Sequence, residues 1–234
     1  MTEFVLVAGA WLGSWAWDDM VPTLREAGHG AHPVTLSGLA DKQGVPARLR
    51  THVQDIVDEV ERHDLRDVAL VGHSYAGIPT GQAAEQLGDR LTRVVFVDSN
   101  VPVDGESFVS AWPDGRAMVE ASIADNGGFW APLTAADCAG QGLTDDQIAR
   151  FLAGATPHPG ATLTDTAVLT RPLSDLPATY IKCLLDGDEP GKDVAELLTS
   201  DRWRLVTMET GHWPIGCSPS RELAEILLEA AQSI

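Results

Sequence analysis

Basic residues are scarce in this sequence. Its 16 lysine and arginine residues face 34 aspartate and glutamate residues, which gives a formal net charge of −18. Only three of the basic residues are lysines, namely Lys42, Lys182 and Lys192. Because phosphate binding requires a clustered positive surface, this deficit argues against nucleic acid or an anionic membrane as a partner. A neutral or cationic small molecule is a more suitable ligand than a polyanion, and the alternative interpretation is that the acidic charge serves solubility alone.

The sequence also lacks the usual signs of export, membrane insertion and metal binding. Its start runs directly into the apolar segment 4–7 without a basic region or a cleavage site, which predicts a strand instead of a signal peptide. No apolar run approaches the ~18 residues that span a membrane. The cysteines Cys138, Cys183 and Cys217 are widely spaced and form no zinc-type pair. We therefore expect reduced thiols, a cytoplasmic location, no metal and no cofactor.

What is present is the alternating pattern of an α/β protein. A chain of 234 residues with 44% apolar and 21% charged residues suits one domain with a short insertion. Apolar runs, glycine-containing turns and amphipathic helices alternate, which predicts a mostly parallel central sheet flanked by helices. One helix is predicted to start at Thr51, where Gln54 completes a capping box. The other predicted elements are strands at 4–7, 31–36, 67–71, 93–97, 179–185 and 203–208, helices at 17–26, 74–87 and 144–152, and a last helix that starts at Ser218.

This alternation breaks between residues 98 and 171. The stretch is rich in glycine, proline and aspartate and has one predicted helix, at 144–152. We interpret residues 101–171 as a cap inserted into a core made of residues 1–100 and 172–234. Caps shape pockets and exclude water, so we expect this segment to influence the choice of substrate.

A sharp turn at Ser74 predicts a nucleophile. The serine lies between a buried strand and a predicted helix, at the carboxyl edge of the sheet. Gly72 and Ala76 are small enough for the strained backbone that such a turn requires. The start of the helix supplies free amides and a positive dipole end, which can stabilise an oxyanion. An ordinary turn serine is the alternative interpretation.

Seven histidines compete for the role of the base that takes the serine proton. His212 lies between the last predicted strand and the last helix, which suits the order serine, acid, histidine found in folds with this turn. His73 adjoins the serine, but its side chain is expected to point the other way. We expect the remaining five to be solvated in loops or on polar helix faces: His29, His32, His52, His63 and His158.

Two aspartates could orient the base, because both follow strands at the correct edge of the sheet. Asp186 follows the strand after the cap, where the acid usually resides, and it is the favoured candidate. Asp98 follows the strand after the nucleophile's helix and is the alternative acid, while Asp188 is a weaker third. Each of them could instead be a strand-end aspartate that accepts loop amides.

The serine turn, the late Gly211-His212 pair and the placement of the cap together resemble the α/β-hydrolase superfamily. Within it, the segment 4–17, FVLVAGAWLGSWAW, resembles the start of the plant methylesterase and hydroxynitrile lyase branch. The segment 180–183, YIKC, and the following Asp186 are also similar to that branch. The resemblance implies an α/β-hydrolase fold with a triad of Ser74, His212 and Asp186.

The same resemblance implies a set of binding groups around the serine. Its oxyanion hole would consist of the backbone amides of Ala10 and Tyr75, which both lie in turns at the carboxyl edge of the sheet. Trp11, Trp130 and Trp213 are candidates to line an apolar acyl or aryl pocket, with plain core packing as the alternative.

Departures from the branch favour an esterase over a lyase. The family's usual histidines are replaced here by Ala8 and Leu12. Lyase members similarly carry threonine where this chain has Gly9, and lysine directly after the catalytic histidine, where it has Trp213. Because the cation that would hold a leaving cyanide is missing, the chain resembles an esterase.

The resulting hypothesis is hydrolysis of a small carboxylic ester through an acyl-enzyme on Ser74. One rival is a non-hydrolytic member of the fold, a lyase or a cyclase-type tailoring enzyme, which predicts weak labelling by a fluorophosphonate probe. Another rival is a ligand-binding member, which predicts tight binding that survives loss of the serine. The expected partner is a small ester, and the sequence leaves a homodimer open.

Overall fold

The computed structural model describes residues 1–216 and 220–232. Six of its strands form one sheet that is parallel throughout, in the order β2-β1-β3-β4-β7-β8, while β5 and β6 form a separate antiparallel pair. The strands are β1 (Glu3–Val7), β2 (Gly30–Val34), β3 (Val68–His73), β4 (Leu91–Val97), β5 (Phe129–Trp130), β6 (His158–Pro159), β7 (Ala178–Cys183) and β8 (Trp203–Met208).

Helices cover both faces of the six-stranded sheet. Alternate side chains of β1 point to opposite faces, so that Val5 belongs to one hydrophobic cluster with Ile56 of α2, and Leu6 belongs to another with Leu227 of α9. The predicted parallel sheet flanked by helices is therefore confirmed. The α-helices are α1 (Val21–Glu26), α2 (Leu49–Arg62), α3 (Gly77–Leu87), α4 (Phe108–Ala111), α5 (Pro113–Asp125), α6 (Asp145–Gly154), α7 (Gly160–Thr164), α8 (Lys192–Leu197) and α9 (Ser220–Gln232).

The predicted start of α2 is wrong by two residues. The helix begins at Leu49 with Arg48 as its N-cap, and Thr51 is its third residue. The Thr51 hydroxyl still caps the end, because it accepts a hydrogen bond from the Arg48 amide at 3.2 Å. Arginine is not a preferred N-cap residue, so the sequence directed the prediction to the nearby threonine.

The connection from β4 to β7 contains more regular structure than the sequence predicted. It holds α4, α5, α6, α7 and the β5–β6 pair, whereas only the helix near α6 was expected. Helix α5 buries only Gly115 and Val119. It therefore lacks the periodic apolar stripe by which an amphipathic helix is predicted. The division into a core and a cap at 101–171 stays a prediction.

Three further observations concern residues 1–216 and 220–232 alone. No helix there is both long enough and apolar enough to cross a membrane. No group of three or more histidine, cysteine, aspartate or glutamate side chains in that part of the chain is arranged as a metal site. Cys138 and Cys183 are buried, while Cys217 and the predicted helix start at Ser218 lie outside the described residues.

Candidate active site

Ser74 lies in the strained turn that the sequence predicted. It directly follows β3, and its φ of 56° is in the left-handed region that residues with a side chain rarely adopt. The turn depends on close backbone approach, because a Cβ at Gly72 would lie 2.7 Å from the Thr80 hydroxyl. A Cβ at Gly9, in the neighbouring turn after β1, would lie 2.7 Å from the Ser74 Cβ. Glycine at both positions lets two loops converge on the serine.

His212 connects this serine to a carboxylate. The Ser74 hydroxyl lies 2.8 Å from His212 Nε2, and His212 Nδ1 lies 2.7 Å from Asp98 Oδ2. In this arrangement Nδ1–H donates to the carboxylate, which leaves the Nε2 lone pair free to accept the serine proton. The structure therefore brings together the predicted nucleophile, the predicted base and the alternative acid.

Asp98 is held as an anion in a buried site. Its other oxygen, Oδ1, accepts hydrogen bonds from Lys182 Nζ at 3.0 Å and from the Cys183 amide at 3.2 Å. Burial raises the pKa of Asp98, but the hydrogen bonds and charges of His212 and Lys182 outweigh it and bring the pKa below its ordinary value. Lys182 is itself buried and was not predicted as part of the site.

For Asp186, the favoured acid of the sequence analysis, the structure describes the backbone alone. Its backbone ends a short 3₁₀ turn, Leu184–Asp186, directly after β7. Its side chain lies outside the described residues. The described geometry pairs the His212 imidazole with Asp98, the alternative acid of the sequence analysis, and the assignment of Asp186 stays a prediction.

Two residues that the sequence analysis did not assign to the site fix the backbone around His212. The Gln141 side chain accepts a hydrogen bond from the His212 amide at 2.6 Å, and His73 Nε2 donates to the His212 carbonyl at 2.7 Å. The expectation that His73 points away from the site is wrong, since its ring centroid is 5.1 Å from that of His212. Burial, followed by the charge of His212, lowers the pKa of His73 to about 3, so it is a neutral donor here.

The three predicted tryptophans, Trp11, Trp130 and Trp213, border a cavity of about 430 Å³ that also contains Ser74 and His212. The Trp11 and Trp130 ring centroids are only 4.1 Å apart, which makes a continuous aromatic wall. Polar and further apolar groups complete the lining: Ala10, His73, Asn100, Phe108, Trp112, Met118, Asp137 and Gln141.

The two predicted oxyanion donors lie in the two turns that adjoin the serine. Ala10 lines the cavity, in the turn after β1. Tyr75 is the second residue of the 3₁₀ turn Ser74–Ala76, where backbone amides have no partner within the helix. The Tyr75 side chain is buried, and its hydroxyl donates to His52 Nδ1 at 2.9 Å. The role of these amides remains a prediction.

The prediction that His52 and His158 are solvated is wrong, because both are fully buried. Burial lowers the pKa of His52 to about 4 and brings the pKa of His158 well below its ordinary value. The sequence held one signal for His52, which precedes the buried Ile56 by one helical turn. It held none for His158, whose burial depends on the fold of the insertion.

Comparisons with known proteins give matches to both sequences and solved structures. The model of the alpha/beta hydrolase family matches residues 4–226. The carbendazim hydrolyzing esterase of a Nocardioides species is 35% identical over 141 residues, which are 59% of this chain and 58% of that protein. Methylesterase 9 of Arabidopsis thaliana is 26% identical over 97% of this chain and 90% of its own length. An extracellular alpha/beta-hydrolase from a Paenibacillus species has the same fold, with a TM-score of 0.87 and 22% identity over 98% of both chains.

Proposed function

Because the chain belongs to the alpha/beta hydrolase family, we propose that it hydrolyses a small carboxylic ester through an acyl-enzyme on Ser74. The observation that carries this proposal is the unbroken set of contacts from the Ser74 hydroxyl through His212 to Asp98. The names of its relatives support the same bond type, since they include a methylesterase and a carbendazim hydrolyzing esterase. The similarity to plant methylesterases confirms the resemblance seen in the sequence.

The proposed reaction uses this chain's own groups in two half-reactions. His212 Nε2 takes the Ser74 proton as the oxygen attacks the ester carbonyl, and Asp98 stabilises the imidazolium that forms. The amides of Ala10 and Tyr75 stabilise the oxyanion of the tetrahedral intermediate. The imidazolium then protonates the leaving alcohol, which leaves an ester of Ser74. Water, activated by the same imidazole, releases the acid and restores the serine.

The cavity supports an aromatic substrate group. Its wall of Trp11 and Trp130 continues through Phe108, whose ring centroid is 5.9 Å from that of Trp130. Aromatic pairs at such distances gain energy beyond the area they bury, so a flat aryl group fits this wall better than a flexible alkyl chain. Asp137 also lines the cavity, which favours a neutral or cationic substrate over an anion.

The proposed cap, the cellular location and the oligomeric state were first inferred from the sequence. We treat residues 101–171 as a cap, because Phe108 and Trp130 from this segment border the same cavity as Ser74. A cytoplasmic location and a homodimer stay predictions of the sequence.

The proposal is tested by Ser74→Ala beside the unchanged protein. We expect ester hydrolysis to fall by about 10³-fold or more, because the nucleophile is removed while the fold is not. A fluorophosphonate probe should label the unchanged protein and not the variant. His63→Gln, a change at an exposed helix end, serves as the control and should retain both activities.

Other outcomes identify the rival functions. Near-normal hydrolysis by Ser74→Ala would exclude Ser74 as the nucleophile. Weak labelling of the unchanged protein, with no ester turnover, would favour the lyase or cyclase alternative. Tight ligand binding that persists in Ser74→Ala without turnover would favour a binding protein.

A further inference from the structure

His158 is a buried histidine whose two ring nitrogens both have partners. It lies in β6 of the insertion and has no solvent exposure. The Thr162 hydroxyl donates to the Pro159 carbonyl at 2.7 Å, so it can only accept from His158 Nε2, which lies 2.8 Å away. The proton of the neutral ring is therefore on Nε2. Its Nδ1 lone pair is left to accept the hydrogen bond from the Trp11 amide at 3.3 Å.

The residue that His158 binds is in an unfavourable backbone conformation. Trp11 has a φ of 65°, which a bulky side chain rarely adopts. It occupies the turn that closes with a 3.3 Å hydrogen bond from the Leu12 amide to the Gly9 carbonyl. Both backbone groups of Trp11 bind the insertion, since its carbonyl accepts from the Thr156 amide at 2.9 Å. Such strain persists only where the surroundings enforce it.

The same imidazole also packs against the second loop of the site. Its ring centroid lies 4.6 Å from that of Tyr75 in an edge-to-face arrangement. Tyr75 directly follows Ser74, and Ala10 directly precedes Trp11. His158 thus contacts both backbone segments that carry the proposed oxyanion donors.

We propose that His158 is a positioning residue for the oxyanion hole, because its Nδ1 fixes the Trp11 amide and with it the turn that presents the Ala10 amide. The inference rests on the proposed esterase function. His158 acts through the backbone and transfers no proton. Its loss should therefore weaken stabilisation of the transition state more than binding of the substrate.

The test compares His158→Leu, which removes the acceptor, with His158→Asn, whose Oδ1 can replace Nδ1. With a chromogenic aryl ester we expect His158→Leu to lower kcat about 10- to 100-fold and to change KM by less than about 3-fold. His158→Asn should recover at least half of the loss in the logarithm of kcat. Inhibition by an aryl trifluoromethyl ketone, whose serine adduct has an oxyanion, should weaken in proportion to kcat/KM.

Val119→Ala is the matched control, since it removes buried volume from helix α5 of the insertion without removing a hydrogen bond. It should keep kcat within about 3-fold, even if it lowers the free energy of unfolding. The inference is overturned if His158→Leu folds and keeps kcat within about 3-fold of the unchanged protein. It is also overturned if His158→Asn and Val119→Ala lose as much kcat as His158→Leu.

A measurement on the unchanged protein covers the case in which His158→Leu does not fold. Hydrogen exchange of the Trp11 amide, followed by NMR, should be slow because that amide is bonded to His158, and rapid exchange would overturn the inference. Failure of the proposed function has a different signature. There the unchanged protein neither hydrolyses esters nor reacts with a fluorophosphonate, whereas failure of the inference alone leaves both reactions intact in the unchanged protein.

Discussion

The two carboxylate oxygens of Asp98 have different partners, and this division defines what the residue can do. Oδ2 faces the His212 imidazole, while Oδ1 faces Lys182 and the Cys183 amide. The contacts with His212 and then Lys182 bring the pKa of this carboxylate below its ordinary value despite its burial. A buried charge that loses its partner costs free energy. Replacing either Asp98 or Lys182 alone should therefore lower the free energy of unfolding.

Asp98→Asn tests the assignment of the acid. The amide cannot stabilise an imidazolium, and its NH₂ group favours the wrong tautomer of His212. We therefore expect kcat to fall by about 10³- to 10⁴-fold, with a smaller change in KM. The variant also takes the carboxylate from Lys182, so the free energy of unfolding, measured with urea, should fall as well.

Asp186→Asn is the matched comparison, because the sequence favoured that residue and the substitution is chemically identical. If Asp98 is the acid, Asp186→Asn should retain kcat within about tenfold of the unchanged protein. A larger loss in Asp186→Asn than in Asp98→Asn would restore the assignment that the family resemblance implied.

At the scale of elements, the short strand β5 places two adjacent aromatic residues in different surroundings. Trp130 is buried and lines the cavity beside Ser74, whereas Phe129 is 41% exposed. This alternation follows from the period of a strand, in which successive side chains point to opposite faces. One element thus provides both a test position and its control.

Trp130→Ala should reduce the preference for aryl esters. Removing the indole takes away an aromatic contact of roughly 1 kcal/mol, so kcat/KM for a phenyl ester should fall about fivefold relative to a butyl ester of the same acid. Phe129→Ala should leave that ratio unchanged. An equal fall for both esters in Trp130→Ala would indicate a packing role for the indole in place of substrate recognition.

Features that depend on neighbours in sequence were predictable, whereas features that depend on residues far away in sequence were not. The turn at Ser74 was predictable because Gly72 and Ala76 are its neighbours in sequence. The roles of Gln141 and His158 were not, because their partners are 71 and 147 residues away. No periodicity connects such positions, and the contacts exist only once the insertion has folded.

The choice between Asp186 and Asp98 shows the same limitation at one edge of the sheet. Both residues follow strands that end there, so strand position alone could not separate them. The neighbouring Lys182 would have been a signal, since its position in β7, next to β4, brings an ammonium group close to the end of β4. A lysine in an otherwise uncharged, buried strand predicts a buried partner.

For the whole molecule, the buried histidines link stability to pH. In the unfolded chain a histidine binds a proton below its ordinary pKa of 6.5, whereas burial keeps His52 neutral until about pH 4 and His73 until about pH 3. Between these limits the unfolded state binds more protons than the folded state. Stability therefore rises with pH across this window and is lost on acidification.

We expect the free energy of unfolding, measured with urea, to fall between pH 7 and pH 5. Each fully buried histidine contributes roughly 2 kcal/mol to this fall, because only the unfolded chain is protonated. His52→Gln should make the decrease smaller by about that amount. Val119→Ala, which removes no titratable group, should leave the slope unchanged, and a slope that His52→Gln does not alter would contradict this linkage.

The close pair of indoles at Trp11 and Trp130 also has a spectroscopic consequence. Rings with centroids 4.1 Å apart couple electronically, so the pair should dominate the near-ultraviolet circular dichroism of the chain. A guest that enters between these rings and the serine would perturb that coupling. The molecule thus carries an intrinsic chromophore at its cavity, which reports occupancy without any attached dye.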